Sequence, residues 1–291
     1  MFKREAAILA AVQHPYIMTP RIISHADGRK YMISPWADNG TLRNYLDKKR
    51  DPNRLRLLSE VASALHYLHT LPNPIIHGDI YIDNVLVSEY EQALLTDFGL
   101  STVVSSTTSG SEIIEDGKEN YFLGRVSYMA PELHDDGAAR TRETDVFAFG
   151  MLMFHVYAGR PPFSKSDNPN AVIIAMYEGQ RPSREEIPGD DVSDGLWELM
   201  QACWSPDPKG RPTMMHVERR LIELEFEHVL APLSTPQLAP VREQLLRLMH
   251  KQLLDRVAEL TELETLFPGR TFAPIIAARF AVRATLLDTR G

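Results

Sequence analysis

A chain of 291 residues with 44% hydrophobic content is long enough to bury one large core or the cores of two unequal lobes. Its formal charge of −8 offers no field for nucleic acid or an anionic membrane surface, and no run of 18 apolar residues supplies a spanning helix. The single cysteine, Cys203, excludes an internal disulfide and fits a reducing, cytoplasmic compartment.

Lys3 and Arg4 precede an apolar run over residues 6–12, but that run is short for a secretory signal, Glu5 interrupts its charged flank, and no small-x-small cleavage site follows. The spacing over residues 2–13, with Phe2, Leu9 and Val12 near one face, predicts a helix ended by His14-Pro15. Two strand-like stretches follow, 21–25 and 30–34, joined across Ala26-Asp27-Gly28-Arg29, and Asp-Gly between apolar runs predicts a hairpin. After Pro35-Trp36, Asp38-Asn39-Gly40-Thr41 caps a helix running to about Lys48.

Leu58, Val61, Ala62, Leu65 and Leu68 predict an amphipathic helix over 54–70, broken by Pro72 and Pro74. Ile75-Ile76 leads into the loop His77-Gly78-Asp79, and residues 85–87 and 93–95 read as short strands. The Ser, Thr, Gly and acid content of 101–120 predicts a mobile segment. Helical texture returns over 145–157 and continues intermittently to about Phe226, with Trp197 and Trp204 as core residues. Residues 231–236 read as a linker and Pro240 as a helix start. From 241 to 267, Leu246, Met249, Leu253, Val257, Leu260, Leu263 and Phe267 lie near coiled-coil spacing, which Arg256 breaks. A helix packed on the main body is favoured there over a partner or dimer contact.

Three motifs stand in order: His77-Gly78-Asp79 with Asn84, Asp97-Phe98-Gly99, and Ala130-Pro131-Glu132. Pro35-Trp36, Asp145 to Gly150, Cys203-Trp204 and Arg211 accompany them. Over about residues 1–225 the chain resembles a eukaryotic protein kinase domain of the tyrosine-kinase-like Ser/Thr group, of the fungal type, entered at its first N-lobe helix. The resemblance implies an α+β bilobal fold. A partial N-lobe of helix plus β-hairpin occupies 1–36, a mainly helical C-lobe 37–228, and a linker with a helical extension 229–291.

It also implies roles. Asp79 stands where the family keeps the carboxylate that orients a substrate hydroxyl and accepts its proton. Asn84 and Asp97 match the side chains that hold Mg²⁺, a hard cation suited to two oxygen ligands. Ser34, Trp36 and Ala37 fall in the strap beside the nucleotide. Phe98 and His77 would stack with Leu9 in an apolar column, His77 being a packed core histidine rather than a metal ligand. Glu132 would pair with Arg211, and Asp145 would anchor the loop backbone. Glu5 aligns with the helix glutamate that pairs with a strand lysine; as a lone residue it reads first as a solvated helix carboxylate.

Four departures matter. No glycine-rich loop or strand lysine precedes the hairpin, which leaves Glu5 without a partner and predicts either an earlier start or a partner covering a bare sheet edge. Tyr81 replaces the lysine two residues after Asp79, and Arg125 replaces the threonine after Gly124. These two changes suggest compensation, with Arg125 reaching back to supply the missing cation. Gly78 replaces an arginine that pairs with a phosphorylated activation segment, so the Ser/Thr-rich stretch 105–111 reads as a polar loop rather than a phosphosite.

The function implied is ATP- and Mg²⁺-dependent phosphoryl transfer to Ser or Thr of a protein substrate, impaired in the chain as written. The alternative is a pseudokinase that binds a protein partner as a scaffold or allosteric module. No P-loop, Gly-x-Ser-x-Gly or His-Glu-x-x-His motif points to another enzyme class.

Overall fold

The computed structural model describes residues 8–9, 12–24, 30–104, 123–135, 137–189 and 192–230. Glu5, Phe2, the hairpin turn 25–29, residues 105–122 and the amphipathic stretch 241–267 lie outside the described residues. By its contacts the chain divides into two units, Met1–Glu218 and Arg219–Gly291, and the candidate site lies in the first.

The predicted hairpin forms. β1 (Arg21–Ser24) runs antiparallel to β2 (Lys30–Ile33), with Arg21 opposite Ile33 and Ser24 opposite Lys30. Ile8, Leu9 and Val12 of the preceding segment are buried, as the helical spacing requires. Helix α1 (Leu42–Lys48) starts where its cap sequence ends, the Thr41 side chain accepting a hydrogen bond from the Asn44 backbone N–H at 3.3 Å. Asn53 caps α2 (Arg54–Thr70) in the same way, and Leu58, Val61, Ala62, Leu65 and Leu68 of its predicted stripe are all fully buried.

Three short strands follow: β3 (Ile75–Ile76), β4 (Val85–Val87) and β5 (Ala93–Leu95), with β4 and β5 antiparallel. Loop backbone extends that pair on both sides. The Leu95 N–H donates to Tyr16 O and the Met18 N–H to Leu95 O, both at 2.8 Å, while the Val87 N–H donates to Gly40 O at 2.9 Å. Residues 101–104, which their polar composition assigned to a mobile segment, contain β6 (Thr102–Val103), antiparallel to β3. Main-chain pairing with Ile75-Ile76 holds them, with the Ser101 hydroxyl donating to His77 O at 3.1 Å, and composition does not register such bonds.

The rest is mainly helical: α3 (Leu123–Val126), α4 (Arg142–Ala158), α5 (Pro169–Tyr177), α6 (Asp194–Cys203) and α7 (Met214–Leu230). Helix α4 begins three residues before the predicted 145 because Thr141 and Thr144 form a reciprocal capping box. Its Phe147, Phe149, Met151, Leu152, Met153 and Phe154 are all buried, so α4 is a core helix rather than an amphipathic one. Helices α2 and α6 pack on it, α6 so closely that a Cβ on Gly150 would stand 2.8 Å from the Cys203 Cβ. The observed class is the expected one, α+β with small two-stranded sheets and a mainly helical body.

Candidate active site

The loop between β3 and β4 is suspended from the first turn of α4. Asp145, 1% exposed, accepts the His77 N–H at its Oδ2 and the Gly78 N–H at its Oδ1, both at 2.8 Å, while His69 Nε2 stands 2.9 Å from the same Oδ2. A buried carboxylate needs such donors, and the N-terminal end of α4 supplies favourable backbone dipoles as well. His77 is itself fully buried, and burial lowers its pKa below the usual range. Its neutral ring bridges two segments: Nε2 lies 3.0 Å from Thr96 O, and Nδ1 accepts the Asp79 N–H at 3.3 Å.

Asp79 points out of this loop into a short 3₁₀ turn, Ile82–Asn84, that is bolted to α1 by a bidentate bridge from Arg43 to Asp83, both contacts 2.9 Å. The Asn84 amide donates to both Asp79 O and Asp79 Oδ2 at 2.9 Å. Arg125 Nη2 reaches the same Oδ2 at 2.5 Å. Asp79 Oδ1 accepts no hydrogen bond among the described residues. Burial raises the Asp79 pKa, opposed by the charge of Arg125 and by the Asn84 hydrogen bond.

Asp97 sits in left-handed backbone, φ +61°, at an exposed position, and its Oδ1 accepts the Gly99 N–H at 3.2 Å. The turn drives the next side chain inward. Phe98 is 1% exposed and meets His77 edge-to-face with ring centres 4.9 Å apart. Leu9, the expected third member of this column, is also buried. Among the described residues no cluster of three or more His, Cys, Asp or Glu side chains suits a metal. The oxygens here still fit Mg²⁺, because Asn84 spends both amide protons on Asp79, which leaves its Oδ1 an open acceptor among the described residues, and the Asp97 carboxylate faces solvent.

Tyr81 and Arg125, the two departures flanking Asp79, are in contact. The Arg125 guanidinium carbon stands 5.1 Å from the Tyr81 ring centre, and the Tyr81 ring meets Tyr128 edge-to-face at 6.1 Å. Tyr128 in turn shares a hydrogen bond with His155 Nδ1 inside the core. Burial is the main force that lowers the His155 pKa to about 4 and raises that of Tyr128. Sequence reasoning did not single out Tyr128, His155, His69 or Arg140. Nothing in their local pattern marks them, since each is defined by what it meets across the fold.

Arg211, its side chain fully buried, grips Glu132 through Nη1 at 2.6 Å and Nη2 at 3.0 Å, and its guanidinium lies 5.0 Å from the Phe147 ring centre. Ser34 and Trp36 are exposed, Trp36 to 85%, and Ala37 is half-buried with its carbonyl accepting the Gly40 N–H at 3.0 Å.

Comparison with known proteins gives a family match over residues 1–221, described as protein tyrosine and serine/threonine kinase. The chain is 31% identical over 232 residues to a mitogen-activated protein kinase kinase kinase 7-like protein of Drosophila melanogaster, covering 76% of this chain and 55% of that one. It is 34% identical over 197 residues to receptor-interacting serine/threonine-protein kinase 3 of Rattus norvegicus, 65% of this chain and 40% of the relative. Serine/threonine-protein kinase PrkC of Bacillus subtilis is 31% identical over 215 residues, 72% of this chain and 31% of its own. The chain thus spans about half or less of the length of these relatives.

Proposed function

Because the chain belongs to the protein tyrosine and serine/threonine kinase family, we propose that it transfers the γ-phosphoryl group of ATP to a serine or threonine hydroxyl of a protein, at a reduced rate. The observation that carries this reading is the division of labour on Asp79. Its Oδ2 is held by Asn84 and Arg125, and its Oδ1 is left open to a substrate hydroxyl. In this reading Asp79 Oδ1 takes the hydroxyl proton as the hydroxyl oxygen bonds to the γ-phosphorus and the bond to the bridging oxygen of ADP breaks.

Asn84 Oδ1 and the Asp97 carboxylate would hold Mg²⁺, which when bound supplies charge neutralisation at the phosphates. Ser34, Trp36 and Ala37 would border the adenine. Glu132, Arg211 and Asp145 fix the frame and touch no reacting atom. The reduced rate follows from Tyr81: an aromatic ring stands where a cation would face the migrating phosphoryl group, and one such contact is worth roughly 10²–10³ in rate. We place the protein in the cytoplasm, with a protein substrate. The described residues include no helix long and apolar enough to cross a membrane. The division into 1–36, 37–228 and 229–291 belongs to the same reading.

A second reading is favoured by one observation. Arg125 already bonds Asp79, as suits a pseudokinase in which the carboxylate is structural. One experiment separates the two. The full chain is incubated with γ-labelled ATP, Mg²⁺ and a degenerate Ser/Thr peptide library, beside Asp79→Asn, and both are melted with and without Mg²⁺ and ATP. Slow labelling that Asp79→Asn abolishes is expected. No labelling above Asp79→Asn overturns the enzyme reading, and a retained thermal shift with ATP then assigns the chain to the binding module.

A further inference from the structure

Gly78 occupies left-handed backbone, φ +76°, where a side chain is strained in any surroundings. Its surroundings are also full. A Cβ built there would stand 2.3 Å from Arg140 Cδ, 2.9 Å from Arg140 Nε and 3.2 Å from Leu100 O. The obstruction is the middle of the arginine side chain, not its free end. It cannot swing aside cheaply, because Arg140 Nε donates to Gly78 O at 3.2 Å.

We propose that Gly78 and Arg140 are a matched pair, in which the glycine exists to admit the arginine and Arg140 is a positioning residue for the Asp79 carboxylate. The proposal rests on the reading of Asp79 as the group that receives a substrate proton. The coupling between them runs through one peptide plane. Gly78 O and the Asp79 N–H belong to the same rigid amide. Arg140 Nε holds its oxygen end and His77 Nδ1 accepts from its nitrogen end at 3.3 Å. Fixing both ends fixes the direction in which the chain leaves for the Asp79 side chain, and so the meeting of Oδ2 with Asn84 Nδ2 at 2.9 Å.

Arg140 is well founded for the task. The next residue, Thr141, is the cap of α4 and is locked by its reciprocal bonds with Thr144. Four residues further on, Asp145 holds the Gly78 N–H at 2.8 Å. Segment 140–145 therefore clamps Gly78 by its N–H from one side and its carbonyl from the other. The Arg140 side chain thus occupies the room that a Cβ at position 78 would need.

The test is a double-mutant cycle on the full chain, with no nucleotide or substrate, so that a chain unable to transfer phosphate still decides it. Gly78→Ala is expected to lower Tm by about 6 °C and Arg140→Ala by about 2 °C. The double variant should fall well short of the sum, because removing the arginine empties the space the alanine needs. The second readout is the side-chain amide of Asn84 by NMR. In Arg140→Ala its signals should move upfield and broaden as Asp79 Oδ2 drifts away, while the Asn39 amide, bonded to Ser88 O at 2.6 Å, stays in place as an internal reference. Arg140→Lys keeps the charge but has a methylene where Nε stands, and should behave as Arg140→Ala. Additive losses of Tm overturn the pairing. An unmoved Asn84 amide in Arg140→Ala overturns the positioning role. Should Gly78→Ala fail to fold, folding of the double variant supports the pair, and if neither folds the Asn84 amide in Arg140→Ala decides.

Discussion

The guanidinium of Arg125 lies against the ring of Tyr81, 5.1 Å from its centre, while its Nη2 closes on Asp79 Oδ2 at 2.5 Å. The two departures beside Asp79 are thus one structural unit: the aromatic ring supports the cation, and the cation faces the carboxylate. Stacking limits the conformations open to a long side chain, so its charge is held at Asp79 rather than spread over solvent.

Arg125→Ala should lower kcat/KM on the order of 10² and move the acid limb of the pH–rate profile upward. The direction follows from the charges. Burial raises the Asp79 pKa and Arg125 opposes that rise, so without the arginine the carboxylate protonates at higher pH and the base is lost sooner. Arg125→Lys should hold the limb closer to that of the wild type. Initial rates from pH 5 to 9 check this, and an Arg125→Ala profile with unchanged height and limb removes Arg125 from the mechanism.

A lysine placed at 81 by itself should not help. Tyr81→Lys takes the ring from beneath Arg125 and from its contact with Tyr128, and sets two cations beside one carboxylate. The double change Tyr81→Lys with Arg125→Thr should instead raise the rate by roughly 10² over the starting chain. The comparison of both variants in one peptide assay carries the prediction, and a single change that matches the double refutes the coupling.

His155 should give the fold an acid-sensitive step. It is neutral in the core beside Tyr128, with a pKa lowered from 6.5 to about 4. Above about pH 6.5 both folded and unfolded forms are neutral and its contribution is complete; as pH falls from there toward 4 the unfolded chain takes the proton first and stability drains away. The loss approaches about 3 kcal/mol at the low end. His155→Gln should flatten urea midpoints between pH 6.5 and 4, and an unchanged slope would show that the group does not titrate in this window.

Glu132→Ala should be among the costlier single changes outside the apolar core. It leaves the Arg211 guanidinium, fully buried, without its carboxylate, and an orphaned buried charge costs about 3–5 kcal/mol. Glu132→Gln keeps two polar atoms in place and should cost less. Thermal unfolding ranks the two.

Much of the scaffold was legible from neighbours in sequence. Thr41 and Asn53 cap the helices that follow them, and the stripe from Leu58 to Leu68 is buried as its period predicts. Such features depend on groups within one helical turn. The pairing of Glu132 with Arg211, 79 positions apart, was legible only because the motifs resemble a known family, not from any spacing. Residues 101–104 were misread because a β-bridge is made by main chain, to which composition is blind.

By itself, then, the sequence determined most of the helices and strands and the order of the three motifs, and its resemblance to a known family singled out Asp79, Asn84 and Asp97. Only the tertiary structure decided how that chemistry is held. The paired departures suggested that Arg125 reaches back, but the fold decided that it lands on Asp79 Oδ2, 46 positions away, and that Arg140 crosses Gly78 from 62 positions away. Neither meeting has a local signature, because the reach of an arginine is about 7 Å and its partner is chosen by where the loops are placed, not by which residues stand beside it in the chain.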